Sequence, residues 1–101
     1  MAATKMTPRE NQVLQTALAI LKKEIDPPRI ILFGSRAEGR FAPGSDFDLA
    51  VDAPKPDRAY EIKETVNDSV GLYKVDIVYL PDVERDLRDL VLKTGKVVYE
   101  R

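Results

Sequence analysis

The chain has 101 residues, contains neither histidine nor cysteine, and balances 16 Lys and Arg against 17 Asp and Glu. Without imidazole or thiol groups it cannot build a Ser-His-Asp triad, a thiolate nucleophile or a Cys/His zinc site, and its net charge of −1 gives no basic field for sequence-independent binding of DNA. Since a chain of about this length usually forms one domain, we expect residues 1–101 to be a single domain for which nucleic acid is not the default partner.

The apolar pattern predicts neither a secretory signal nor a membrane span. Met1-Ala-Ala-Thr-Lys5 is followed by no apolar segment, and no apolar run approaches the roughly 20 residues that cross a bilayer. We therefore expect a soluble, cytoplasmic protein with no membrane partner.

The first predicted elements are a helix and a buried strand. Thr7-Pro8-Arg9-Glu10 is typical of a capping box with proline at the first helical position. Apolar residues then recur at helical spacing until Asp26-Pro27-Pro28, which predicts a helix over about residues 7–25. The continuous apolar run of residues 30–33 favours a strand that is buried on both faces.

A loop and a second strand follow. Residues 36–45 contain two Gly and one Pro, so we expect at most one helical turn before the loop. Residues 46–51 alternate, which is typical of a strand with Phe47, Leu49 and Val51 on one face. Asp46, Asp48 and Ala50 then lie on the other face.

The second half of the chain predicts helix and strand twice more. Asp57 is expected to cap a helix whose apolar stripe ends at Gly71, and the β-branched and aromatic residues 74–79 favour a third strand. Residues 83–94 have helical spacing and residues 97–99 form a last short strand. The order α-β-β-α-β-α-β predicts an α+β fold, with a mixed sheet covered by helices on one face and the carboxylates on the other.

Three carboxylates are the candidate catalytic residues. Asp46 and Asp48 are neighbours on one strand face, and Asp76 lies among β-branched residues, where an unpaired charge is costly. If the two strands are adjacent, like charges about 4 Å apart repel by roughly 4 kcal/mol at an effective dielectric constant of about 20. A bound cation would offset this repulsion, and oxygen-only ligands suit Mg²⁺ or Mn²⁺ in two-ion phosphoryl displacement, which indicates nucleotidyl transfer.

A phosphate-binding turn is expected beside these carboxylates. Gly34 lets the backbone approach a phosphate closely, and Ser35 with the amides of the following turn supplies hydrogen-bond donors. Arg36 and Arg40 lie in the same segment, and either could neutralise triphosphate charge.

Taken together, these residues resemble a known family. Gly34-Ser35, ten further residues, Asp46-Phe47-Asp48-Leu49 and a later strand Asp76 are similar to the active-site signature of the polymerase-beta-like nucleotidyltransferase superfamily. The length and the segment from Gly34 to Leu49 are most similar to the minimal nucleotidyltransferases (MNT).

The resemblance implies a role for each matched residue. Asp46 and Asp48 would hold two Mg²⁺ ions, or Mn²⁺, and Asp76 would share one ion and help to activate the acceptor hydroxyl. Gly34 and Ser35 would contact the triphosphate of ATP, and we expect Arg36 and Ser45 beside them as nucleotide-binding residues.

The resemblance also implies a partner. Minimal members are commonly paired with a separately encoded HEPN-domain toxin, and the nucleotidyltransferase is the antitoxin that transfers AMP from ATP to a toxin tyrosine. The alternative is a non-catalytic antitoxin, or a nucleotide-binding module, that neutralises its partner by stoichiometric binding. A second chain, either a copy of this one or the partner, would supply walls for so open a site.

Each signal also has a structural alternative. Gly34-Ser35 alone is compatible with an ordinary strand-to-turn junction that has a serine cap. Asp46 and Asp48 could be a turn residue and a solvated strand residue. Asp76 could lie on an edge strand with a wet face.

Overall fold

In the computed structural model, which describes residues 5–101, helices and strands follow the predicted order. The elements are α1 (Pro8–Glu24), β1 (Arg29–Phe33), β2 (Phe47–Val51), α2 (Ala59–Asp68), β3 (Val75–Tyr79), α3 (Arg85–Thr94) and β4 (Lys96–Glu100), with a 3-10 turn at Leu80–Asp82. The expectation about a signal segment falls largely on residues 1–4, outside the described part. Within residues 5–101, no helix is long and apolar enough to cross a membrane.

Helix α1 begins at the predicted capping box. The Thr7 hydroxyl accepts a hydrogen bond from the Glu10 N–H at 3.1 Å, and the Glu10 carboxylate accepts one from the Thr7 N–H at 2.7 Å. These two bonds satisfy amides that the first helical turn leaves without partners. The helix buries one apolar face, which consists of Val13, Leu14, Ala17, Leu18 and Leu21.

The four strands form one mixed sheet in the order β3-β2-β1-β4. β1 is antiparallel to both β2 and β4, whereas β2 and β3 are parallel. A parallel pair needs a crossover connection, and α2 supplies it. The strands β1 and β2 are therefore central, and β3 and β4 are the edges.

Helices cover both faces of this sheet. α1 and α2 pack on the face that contains Phe47, Leu49 and Val51, so the predicted alternation in β2 is confirmed. The prediction that all helices cover one face of the sheet is therefore correct for α1 and α2 only. α3 lies on the opposite face, where Val91 packs against a second, smaller apolar cluster of Ile31, Ala50 and Leu80. Ile31, Ala50 and Leu80 place apolar surface on the same face as the carboxylates, and packing against α3 removes that surface from water.

Two predicted helix boundaries are wrong. Asp57 does not cap α2, because the chain turns first, with the Ala59 N–H donating to the Pro56 carbonyl at 3.1 Å. Arg58 occupies the N-cap position and makes no side-chain cap bond. α2 also ends at Asp68, before Gly71, which follows in a turn with φ +71.

Candidate active site

The parallel pairing of β2 and β3 brings two predicted carboxylates together. Asp48 is the direct register partner of Asp76. Both side chains lie on the face opposite the main core, since the residues on either side of Asp48 are buried in that core. The predicted adjacency of the two acidic strands is therefore present in the fold.

The electrostatic environment of Asp48 reflects this adjacency. Burial raises the pKa of the Asp48 carboxyl above its ordinary value of 3.8, and the negative charges of Asp76 and Asp46 raise this pKa further. The Lys74 ammonium group acts in the opposite direction. Asp48 thus lies within electrostatic reach of both other carboxylates, although Asp46 is exposed just before the first residue of β2.

Gly34 lies directly against the Asp48 carboxylate. Its φ is +75, and a Cβ atom at this position would lie 2.5 Å from Asp48 Oδ2. Glycine is therefore needed both for the left-handed conformation and for the close approach. After Gly34 the chain makes one turn over residues 35–39, with the Glu38 N–H donating to the Gly34 carbonyl at 3.2 Å.

Ser45 closes a second turn, immediately before Asp46. Its hydroxyl accepts a hydrogen bond from the Ala42 N–H at 2.9 Å, and its own N–H donates to the Ala42 carbonyl at 3.0 Å. Ser35 is half-buried beside Gly34 at the start of the first turn. The two serines thus lie at the two turns between β1 and Asp46.

Arg36 is placed differently from the expectation. Its side chain has no exposed surface, and its Nη1 lies 3.1 Å from Glu10 Oε2. Its Nε and Nη2 both donate to the Ser45 carbonyl, at 3.1 and 2.8 Å, and Nη2 also donates to the Pro43 carbonyl at 3.4 Å. This geometry argues against the nucleotide contact expected for Arg36, because its donors already face inward.

Glu10 is the charge partner that the sequence did not reveal. Its pKa is held below the ordinary value of 4.5, mainly because the Thr7 backbone N–H bonds to its carboxylate. Burial opposes this effect, and Arg36 adds to it. The only local signal for Glu10 was its place in the capping box, and that signal says nothing about a partner 26 positions later.

Lys63 is a second residue that the sequence pattern does not single out. Its Nζ lies 3.5 Å from Asp76 Oδ1, with side-chain exposures of 45% and 35%. It therefore reaches from α2 to the acidic residue on β3. Because β3 is an edge strand and Asp76 is partly exposed, the structural alternative for Asp76 holds in part.

The carboxylates can supply part of the ligand set of a divalent cation and leave its other positions open. Among residues 5–101, no group of three acidic side chains converges closely enough to hold a metal ion alone. Magnesium ions usually take one or two protein carboxylates and complete their ligand set with phosphate oxygens and water. Asp48 and Asp76, with Asp46 beside them, match this donor set.

An open groove runs along the free edge of β3. It has a volume of about 540 Å³, and its lining includes Tyr60, Lys63, Val78 and Val83. Tyr60 is 74% exposed. Lys63 borders this groove and also pairs with Asp76, so its side chain lies between the groove and the acidic residue of β3.

Comparison with known protein families agrees with this geometry. Residues 15–101 match the family described as polymerase beta, nucleotidyltransferase. The chain belongs to this family. The matched range includes Gly34, Ser35 and the three acidic residues, so the predicted family and α+β fold are confirmed, and the chain carries a nucleotidyltransferase domain. A search of curated proteins gave no match.

Several solved structures share the fold. A chain in a toxin-antitoxin complex with AMP-PNP is 27% identical with a TM-score of 0.73, and the match covers 86% of this chain and 73% of that chain. A chain in the MntA-HepT toxin-antitoxin complex is 23% identical with a TM-score of 0.69, over 90% of this chain and 73% of that one. A chain from a complex of tri-AMPylated Shewanella oneidensis HEPN toxin with MNT antitoxin is 23% identical with a TM-score of 0.63, over 92% and 71%.

Proposed function

We propose that this chain is a minimal nucleotidyltransferase that transfers AMP from ATP to a tyrosine hydroxyl of a HEPN-domain toxin, and that it is the antitoxin of the pair. The observation that carries this proposal is the register of Asp48 with Asp76 beside the backbone of Gly34. In this proposal the acidic residues form a cation site next to a turn that receives phosphate, and residues 1–101 are the single domain that carries both.

In the proposed reaction, the acceptor hydroxyl oxygen attacks the α-phosphorus of ATP. A bond forms between these two atoms, the bond from the α-phosphorus to the bridging oxygen of the β-phosphate breaks, and pyrophosphate leaves. The hydroxyl proton passes to the Asp76 carboxylate or to water. Bound Mg²⁺, or Mn²⁺, supplies charge stabilisation for the attacking and leaving oxygens.

The side chains divide these tasks. Asp46, Asp48 and Asp76 would hold the cations, and Asp76 also orients the acceptor from the edge strand. The Gly34 backbone and Ser35 would bind the triphosphate at the first turn. Ser45 would bind the nucleotide from the second turn. Arg36 is left out of the nucleotide-binding set, because its guanidinium is buried.

The proposed partner and nucleotide rest on the similar structures. The chain with 27% identity comes from a toxin-antitoxin complex with AMP-PNP, and other matched chains come from complexes with HEPN or HepT toxins. A domain of this size with an open groove beside Asp76 leaves that side of the site for a second chain to cover.

The experiment is AMP transfer measured by intact mass. The purified protein is incubated with ATP and Mg²⁺, alone and with a HEPN protein encoded next to it. We expect the toxin to gain the mass of AMP with the wild type and with Asp89→Asn, an exposed control on α3, but not with Asp48→Asn or Asp76→Asn. Transfer by either site variant at the wild-type rate would refute the assignment.

Two observations favour a second candidate, a non-catalytic antitoxin. Lys63 pairs with Asp76, and the three carboxylates do not close into a complete ligand set within the described residues. In that case the triple variant Asp46→Asn/Asp48→Asn/Asp76→Asn should neutralise the toxin as well as the wild type does, without any change in the toxin mass.

A further inference from the structure

The buried Arg36 connects three separate parts of the chain. One end of its guanidinium donates to the Glu10 carboxylate on α1, and the other end donates to the carbonyls of Pro43 and Ser45. Its Cζ also lies 4.0 Å from the centroid of the Phe47 ring, and 4.7 Å from that of Phe41. A buried charge is tolerated only when it is paired and hydrogen-bonded, and Arg36 meets both conditions.

These contacts surround the segment that leads into the acidic strand. The Ser45 carbonyl belongs to the peptide group that precedes Asp46, so two bonds from Arg36 fix the orientation of that peptide. The Phe47 ring, held in the core on the opposite face, fixes the next residue. Since side chains alternate along β2, holding Phe47 sets the direction of Asp48, and fixing the peptide group between Ser45 and Asp46 restricts the direction of the Asp46 side chain.

Glu10 fixes Arg36 in turn. Its Oε1 accepts the Thr7 N–H while its Oε2 accepts Arg36 Nη1. The carboxylate is thus held by the start of α1, and its charge compensates Arg36. Removing the Glu10 charge would leave a buried cation without its counter-ion, while the carbonyl contacts would remain.

We propose that Arg36, held by Glu10, is a positioning residue that sets the carboxylates of Asp46 and Asp48 for cation binding without touching the cation or the nucleotide. This inference rests on the proposed function. It predicts that Arg36 acts on metal affinity through the backbone of residues 43–47, as an outer residue that orients a ligand does.

The test compares Arg36→Lys with Arg29→Lys in the full chain. Lysine keeps the charge but cannot reproduce a planar fork with several simultaneous donors. Arg29 is the matched control, because it also pairs with a carboxylate at 3.1 Å, that of Asp52, yet it is one-third exposed. It lies at the first residue of β1, away from Gly34.

Three readouts are taken at a temperature where circular dichroism shows every variant to be folded. They are Mn²⁺ affinity by electron paramagnetic resonance, hydrogen exchange of amides in residues 41–48, and kcat and KM for ATP at saturating Mg²⁺. We expect Arg36→Lys to weaken Mn²⁺ binding about 10–100-fold and to speed exchange in that segment. The KM for ATP should stay near that of the wild type, and Arg29→Lys should change none of these.

Other results would overturn the inference. If Arg36→Lys lowers only the melting temperature, its role is confined to stability. If it raises the KM for ATP while exchange and Mn²⁺ affinity stay unchanged, Arg36 contacts the nucleotide after all. If Arg36→Lys does not fold, Glu10→Gln replaces it with the same expected direction and Asp52→Asn as its control. Failure of the wild type to transfer AMP would refute the proposed function, whereas cation binding and exchange would still decide the role of Arg36.

Discussion

Replacing Asp48 by asparagine should make the protein more stable while it abolishes transfer. Asn keeps the size of the side chain and removes a charge that faces Asp76 across the parallel pair. At the usual strand spacing of about 4.8 Å, two such charges repel by about 3.5 kcal/mol at an effective dielectric constant near 20, and by about 0.9 kcal/mol in water. Because Asp76 is partly exposed and paired with Lys63, solvent screening favours the lower value.

A gain of about 1 kcal/mol corresponds to a rise of about 4–8 °C in the melting temperature of a domain this small. The assay is thermal unfolding of wild type, Asp48→Asn and the control Asp89→Asn at pH 7, in EDTA and then in Mg²⁺. In EDTA, Asp48→Asn should have the highest melting temperature of the three proteins. Added Mg²⁺ should reduce the difference in melting temperature between Asp48→Asn and the wild type, because a bound cation offsets the repulsion in the wild type only.

The pH dependence has a definite sign. The raised pKa of Asp48 means that the folded protein binds this proton more tightly than the unfolded chain, so ionisation costs stability at high pH. The advantage of Asp48→Asn should be full above the folded pKa and absent below the ordinary value of 3.8. The reasoning would be refuted if Asp48→Asn had a melting temperature equal to or below that of the wild type in EDTA at pH 7. It would also be refuted if Mg²⁺ raised the melting temperatures of both proteins equally.

Three further predictions concern other parts of the site. Gly34→Ala should lower stability by about 1–2 kcal/mol because of its positive φ and weaken Mn²⁺ binding, whereas Gly44→Ala, where a Cβ meets open space, should change neither in melting and titration experiments. Glu10→Gln should be less stable than the wild type at pH 7. Urea unfolding should show that the difference in unfolding free energy decreases as pH falls below about 4.5, because the Glu10 pKa is lowered in the folded protein. A difference that increases in acid would contradict this. Lys63→Met should lose at most about 1 kcal/mol of stability, as expected for an exposed ion pair, and should bind Mn²⁺ more tightly because a competing cation is gone; weaker binding in titration would show that Lys63 supports the site instead.

The sequence was sufficient for the elements whose signals are local. The capping box at Thr7 predicted the start of α1, and strict alternation from Asp46 to Val51 predicted which residues of β2 face the core. The adjacency of Asp48 and Asp76 followed from a conditional argument that the two strands pair. That condition is met, and the roles of these residues in catalysis stay predictions.

Other features depend on contacts between distant residues. The apolar stripe of α3 predicts a buried face but not which side of the sheet it covers, and the cluster with Ile31 and Ala50 decides that. Arg36 follows a glycine and a serine in a turn, so a phosphate contact was reasonable from the local pattern. Its inward direction depends on Glu10, and no spacing rule connects two residues in different elements.

The position of β1 in the sheet has a consequence for the growing chain. β1 is central, yet one of its two neighbours, β4, consists of residues 96–100. Until those residues leave the ribosome, the apolar strand from Ile30 to Leu32 presents unpaired amides and carbonyls along one side, which is a template for association with other chains. A stop codon shortly before Lys96 would therefore leave Gly34, Asp46, Asp48 and Asp76 in place and still yield a protein prone to aggregate.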